Sequence, residues 1–252
     1  VGVGSTFFTG GTLVLRKKFS AERFWKDCVE NNITIVTYIG EMLRYLVNTK
    51  ESEYENKHKI RGIFGNGLRP DVWKIFEKRF GISNIKEFYG SSEGNIALIN
   101  ADSNFGSIGR IPPYLSSVMK TRIVKFNVEE EKVERNADGL CIECEPDEIG
   151  EAIGFIPDDG KLTGRFDGYT NKEASKKKIL ENVFETGDQW FSSGDLLKRD
   201  SRGYYYFIDR IGDTFRWKSE NVSTNEVSEI VSAISGIKEA NIYGVEVPAQ
   251  DG

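Results

Sequence analysis

Apolar positions in the first hundred residues follow two alternating rhythms. Thr12 to Leu15, Ile33 to Tyr38, Ile60 to Phe64 and Ile85 to Tyr89 are short apolar or β-branched runs and predict strands. Between them, apolar residues recur at helical spacing. Phe24, Trp25, Cys28 and Val29 follow Ser20, a residue able to cap a helix. Met42, Leu43, Tyr45 and Leu46 suit a second, shorter helix. Pro70 suits the first turn of a third, with Val72, Trp73, Ile75 and Phe76 inward and Gly81 as its stop. The order β-α-β-α-β-α-β predicts a mostly parallel sheet with covering helices. Ligands of such sheets bind beyond the carboxyl ends of strands, where two glycine-rich loops fall, at 65–67 and 90–94.

The rhythm changes from Gly106 to Phe207. Short strands alternate with turns over Val118 to Val128, Leu140 to Cys144, Ala152 to Ile156, Gln189 to Phe191 and Tyr204 to Phe207. One helix is expected, near Lys172 to Leu180. This reads as a small β-barrel or sheet beside the α/β part. After Arg210 the pattern changes again. Ser223 and Glu226 form an S-x-x-E capping box, with two backbone N–H groups satisfied reciprocally. Val227, Ile230, Val231 and Ile234 then make a helical stripe, and Ile237 to Val247 reads as strand.

Composition narrows the function classes. The 252 residues are 38% hydrophobic, enough for a packed core, and suit one large domain or two modest ones. A net charge of -5 argues against general nucleic-acid binding. Lys17-Lys18 and Lys176-Lys177-Lys178 read as solvated faces, with acidic head groups or CoA phosphates as the alternative. Three cysteines without a dense framework suggest a reducing compartment. Cys141 and Cys144 read as ordinary strand cysteines, because the single histidine, His58, is far off in sequence and reads as a surface residue. No run reaches the roughly 18 apolar residues of a spanning helix. The chain starts at Val1 and stops just after the strand-like run, which reads as an internal fragment.

Two stretches carry candidate chemistry. In Tyr89-Gly90-Ser91-Ser92-Glu93-Gly94 the glycines let a ligand approach the backbone. The hydroxyl and carboxylate side by side could serve a phosphate and its Mg²⁺, and Tyr89 could stack on a base. A polar turn with an exposed Glu is the competing reading. Gly194 to Val227 puts an acidic residue, Asp195, and a tight turn, Asp200 to Gly203, in front of the dense polar run Asp209-Arg210-Ile211-Gly212-Asp213. A surface salt bridge is the alternative for Asp195 and Arg210.

These stretches resemble the adenylate-forming, AMP-binding superfamily, and within it the long-chain fatty acid transport proteins, or very-long-chain acyl-CoA synthetases. Glu87 to Asn95 looks like that branch's version of the Tyr-Gly-x-Thr-Glu motif, with Ser92 where Thr is usual. Gly65-Asn66-Gly67-Leu68-Arg69, Gly194-Asp195-Leu196, Asp209-Arg210 and Gly212-Asp213-Thr214-Phe215-Arg216-Trp217-Lys218 are similar to further family motifs. The resemblance spans essentially the whole chain. It implies a large adenylation domain over 1–210, α/β over 1–104 and mainly β over 105–210. A truncated α+β lid domain would then start at 211–252.

Carried over, the resemblance gives each residue a role. Tyr89 would contact adenine, Ser92 the α-phosphate, and Glu93 the Mg²⁺. Gly65, Asn66, Gly67 and Gly90 would lie along the nucleotide, Asp195 and Arg210 at its ribose, and Gly212 at the hinge. Lys218, Ser219 and Glu220 would border the CoA path, with Ser219 standing where the family has Gly. The implied reaction joins a long or very long fatty acid to CoA through an acyl-adenylate, using ATP and Mg²⁺. The family's phosphate loop lies upstream and its C-terminal lysine downstream, so the isolated fragment reads as inactive. The resemblance also implies membrane association, at endoplasmic reticulum or plasma membrane, through segments outside this stretch. This region would face the cytosol, and a homo-oligomer is allowed. The alternatives are a non-catalytic nucleotide- or acyl-binding module and a lipid transporter without ligase chemistry.

Overall fold

The computed structural model describes residues 2–91, 94–157, 166, 168–217, 220–237 and 239–245. The chain divides into two compact units, Val1–Glu87 with Ala101–Gly106, and Phe88–Asn100 with Ser107–Gly252.

The first unit is α/β. It runs α1 (Gly2–Thr9), α2 (Ala21–Glu30), β1 (Ile35–Ile39), α3 (Gly40–Val47), β2 (Gly62–Asn66), α4 (Pro70–Phe80) and into β3 (Ile85–Tyr89). The strands β1, β2 and β3 pair in parallel, with Val36 opposite Ile63 and Ile63 opposite Ile85. Pro70 opens α4 and Gly81 closes it in the left-handed region, its amide donating to Glu77 O at 3.0 Å. Trp25, Leu43, Leu46, Trp73, Phe76 and Ile85 form the core between helices and sheet. Burial of each such side chain stabilises the fold by about 1.5–3 kcal/mol.

Several sequence expectations fail here. Thr12 to Leu15 is not a strand; the helix of this region is α1, which the pattern did not signal. Ser20 stands at the N-cap of α2 but its hydroxyl makes no capping bond. Ile75 points outward, since α4 buries Val72, Trp73, Phe76 and Phe80 instead. His58, expected at the surface, is half-buried. Its ring stacks on Trp25 with centroids 5.1 Å apart. Nδ1 accepts the Ile60 N–H at 3.2 Å, so Nε2 carries the proton toward Phe80 O, 3.2 Å away.

The second unit is mainly antiparallel. Its elements are β4 (Leu98–Asn100), β5 (Gly109–Arg110), β6 (Thr121–Val124), β7 (Phe126–Asn127), β8 (Lys132–Val133), β9 (Ile149–Phe155), α5 (Lys172–Lys177), β10 (Ile179–Glu181), β11 (Gln189–Arg199), β12 (Tyr204–Arg210), β13 (Phe215–Trp217), β14 (Glu220–Val222) and α6 (Thr224–Ser232). The main sheet follows the order β5-β12-β11-β9-β6, with β10 also on β11. Leu98, Ile123, Ala152, Phe191, Leu197 and Tyr205 pack on it.

Three expectations are corrected in this unit. Leu140 to Cys144 forms only isolated bridges, Arg135 with Cys141 and Val124 with Glu143, and both cysteines are buried free thiols. Ile237 to Val247 shows no strand among its described residues. The α6 stripe is not a buried face: Ile230 and Ile234 are exposed and Ser228 is the buried residue, its hydroxyl donating to Ala240 O at 2.6 Å. Among the described residues no helix is long and apolar enough to cross a membrane.

Candidate functional site

In the first unit the loop after β2 is fixed by one buried carboxylate. Gly65 lies so close to β1 that a Cβ there would stand 2.2 Å from Tyr38 O, which only glycine allows. Asn66 ends the strand exposed, and Gly67 turns the chain at φ 74°. The Gly67 and Leu68 amides donate to the two oxygens of Glu87, each at 3.2 Å. The Tyr38 hydroxyl donates to the same carboxylate at 2.5 Å. Glu87 is 1% exposed. Burial pushes its carboxyl up to about 7, although these three donors pull the other way. Burial, then the Glu87 charge, holds the Tyr38 phenol above its ordinary range.

In the second unit the site forms where β11 leaves its ladders. Pairing with β9 shifts register between Ser192 and Leu196, and pairing with β12 shifts between Leu196 and Leu197. Such a bulge re-aims a side chain. Here it sets Asp195 opposite Arg210 of β12. The Tyr89 hydroxyl, from the end of β3, donates to Asp195 Oδ2. Arg210 Nε stands 3.9 Å from Asp195 Oδ1, with the guanidinium largely in solvent. Burial, then the Asp195 charge, holds the Tyr89 phenol well above its ordinary value, so it stays a donor. A cavity of about 590 Å³ opens over Tyr89, Ser193, Asp195 and Arg210. That falls in the roughly 300–1,000 Å³ range of small-ligand pockets.

The structure brings Tyr89, Asp195 and Arg210 together. Gly65, Asn66 and Gly67 belong to the first unit. Gly90 follows Tyr89 directly and is exposed, and beyond it the Ser91 hydroxyl accepts the Gly94 amide at 3.0 Å. Ser92 and Glu93, and with them the expected Mg²⁺ contact, lie outside the described residues. So do Lys218 and Ser219; Glu220 opens β14, paired with Trp217. Gly212 is exposed, has φ 93°, and has no atom within 4 Å of a Cβ built on it. Among the described residues no group of three or more His, Cys, Asp or Glu could hold a metal ion.

Besides Glu87, two residues escaped the sequence reading as supports of the site. Asp209, 1% exposed, accepts the Thr224 amide at 2.7 Å, the Ser223 hydroxyl at 2.9 Å and the Asn225 side-chain amide at 2.8 Å. It ties the end of β12 to the N-terminus of α6, where a carboxylate suits the helix dipole. Ser223 accepts the Glu226 amide at 3.3 Å, as half of the expected box. Asp209 serves the same terminus through the Thr224 amide and the Ser223 hydroxyl. The other missed residue, Glu151, is 3% exposed and accepts the Ser192 hydroxyl and the Gly194 amide beside Asp195. Nothing in its local sequence, Ile149-Gly150-Glu151-Ala152, marks it.

Comparison with known proteins follows the same lines. A family model described as "AMP-binding enzyme" matches residues 1–140. The chain is 47% identical over its 252 residues to "Long-chain fatty acid transport protein 1" of Mus musculus, covering 100% of this chain and 39% of that protein. It is 44% identical over 252 residues to "Long-chain fatty acid transport protein 2" of Rattus norvegicus, covering 100% of this chain and 40% of that one. These identities bear out the resemblance read from the motifs, and the chain spans about two-fifths of either relative. Among solved structures, ATP-bound MatB from Rhodopseudomonas palustris superposes with a TM-score of 0.73 at 21% identity, over 97% of this chain and 44% of that one. The anthranilate CoA ligase AuaEII in complex with anthranoyl-AMP gives 0.69 at 17%, over 95% and 42%. At such identities the likeness is one of fold.

Proposed function

This chain belongs to the AMP-binding enzyme family, and on that premise we propose that the protein it forms part of activates long-chain fatty acids. The fatty acid carboxylate attacks the α-phosphorus of ATP and pyrophosphate leaves. The CoA thiol then attacks the acyl carbonyl of the adenylate and AMP leaves. The observation that carries the reading is the convergence of Tyr89, Asp195 and Arg210 over one cavity.

The residues of this chain have roles of orientation and charge. Asp195 accepts the ribose diol, because an ionised carboxylate offers about four lone-pair sites and can serve hydroxyls while still held by Tyr89. Arg210, with its guanidinium largely in solvent, adds a donor at the ribose. Tyr89 presents its ring to the base. Within the first unit Glu87 holds the loop over Gly65, Asn66 and Gly67, which the motif resemblance assigns to the nucleotide. Positioning of this kind lowers the barrier without a histidine base. Glu93, next to Ser92 in the sequence, has the donor chemistry that Mg²⁺ takes together with phosphate oxygens. Bound there, the ion would offset charge on the phosphates. Residues 211–252 start the lid, with Gly212 as hinge and Lys218, Ser219 and Glu220 along the CoA path.

The fatty acid half is supported by the names of relatives at 44–47% identity, which are long-chain fatty acid transport proteins; the CoA half is supported by the motif resemblance alone. The test is thioester formation by the whole protein with ATP, CoA and palmitate, set against acetate and benzoate. Palmitoyl-CoA with release of AMP supports the proposal. Turnover of benzoate alone overturns the substrate class. AMP binding without turnover of any acid favours a binding module.

A further inference from the structure

We propose that Glu151 is the positioning residue that holds Asp195 where it can read a ribose diol, assisted by Ser192 and Lys178. The inference rests on the nucleotide-site reading above and deepens it. It starts from the bulge in β11. Between Ser192 and Leu196 the strand has no ladder partner on β9. Backbone released from a ladder and kept from water needs other partners. Here they come from three side chains.

The Gly194 amide, which would otherwise seek a β9 carbonyl, donates to Glu151 Oε1 at 3.1 Å. The Ser192 hydroxyl donates to that same oxygen at 2.5 Å. Lys178 Nζ donates to the Ser193 carbonyl at 3.2 Å, and the Ser193 hydroxyl accepts the Asp195 amide at 3.1 Å. On the far side Gly194 O accepts the Ile211 amide at 2.9 Å, next to Arg210. Gly194 itself has φ 79°, a conformation that needs this support in a residue so free elsewhere. The Ser192 hydroxyl, the Gly194 amide and the Ser193 carbonyl thus refer back to Glu151 or Lys178, and Asp195 is the side chain the bulge delivers to the cavity.

A carboxylate buried only for packing would be an odd choice. Its neighbours in β9 are apolar or small, and a Leu would fill the space. What a Leu cannot do is accept two donors on one oxygen. Since both bonds fall on Oε1, an amide can replace the carboxylate. The inference therefore separates Glu151→Gln from Glu151→Leu, two substitutions of similar size.

The experiment is calorimetric titration of the whole protein with AMP and with 2′,3′-dideoxy-AMP. The two ligands differ only in the hydroxyls Asp195 is proposed to accept. Bonds to a charged acceptor predict a wild-type preference for AMP of about tenfold or more. Glu151→Gln is expected to keep that preference to within about twofold. Glu151→Leu is expected to bring the ratio close to one, mostly by weakening AMP. If Glu151→Leu gives no cooperative melt, Ser192→Ala and Lys178→Met carry the test, each lowering the ratio severalfold. A folded Glu151→Leu, or both lighter variants, with the wild-type ratio overturns the positioning role while the nucleotide reading stands. A wild type that binds both ligands alike overturns the nucleotide reading, and the inference with it.

Discussion

Replacing Glu87 by Gln isolates the pH dependence of one buried carboxyl. An ordinary Glu ionises near 4.5, and in the fold Glu87 does so at about 7, chiefly because burial penalises the charged form. Across that window the folded protein binds more protons at this site than the unfolded chain. Stability from this group is therefore full below about pH 4.5 and falls as pH rises toward 7, the reverse of a salt-bridged carboxylate. At about 1.4 kcal/mol per pH unit, the wild type loses about 3 kcal/mol over the window from this group. Gln cannot ionise, so its variant lacks that slope. It does carry a fixed cost of about 1–3 kcal/mol, since its NH₂ would face a Gly67 amide that now donates to Oε2. Urea unfolding of both proteins from pH 4.5 to 8 measures the difference. The curves should converge as pH rises. Parallel curves would refute the assignment. Glu151, whose carboxyl burial also raises, contributes a background slope common to both proteins.

Two other substitutions test structural roles that have no sequence signature. Asp209→Ala removes the acceptor for the Thr224 amide and should cost α6 about 1–2 kcal/mol, read as faster hydrogen exchange over 224–232 with the main sheet unchanged. His58→Phe keeps a ring against Trp25 but abandons the Ile60 amide and Phe80 carbonyl, and should cost about 1–3 kcal/mol in urea unfolding at constant m-value.

What the sequence made legible was whatever repeats locally or stands in a motif. The parallel β1, β2 and β3 and the helices α2, α3 and α4 follow from period and punctuation, as with Pro70 and Gly81. Tyr89, Asp195 and Arg210 stood in recognisable runs, and the fold joined them across 106 residues. Glu87, Glu151 and Asp209 were not legible as site supports, because each acts through partners 14 to 49 residues away. The α6 stripe shows the converse failure. Helical spacing marks Ile230 and Ile234 as a face, but spacing carries no information about what covers that face, and both are exposed here.

On the proposed function, Asp195 holds the ribose of a nucleotide whose α-phosphorus is attacked by a fatty acid. Palmitate-dependent exchange of pyrophosphate into ATP, in the whole protein with and without Asp195→Asn, tests it most directly. The expected result is exchange that requires palmitate, and a fall in kcat/KM for ATP of about 10- to 100-fold in the variant. Exchange that is unchanged by Asp195→Asn, or that proceeds equally without palmitate, would contradict it.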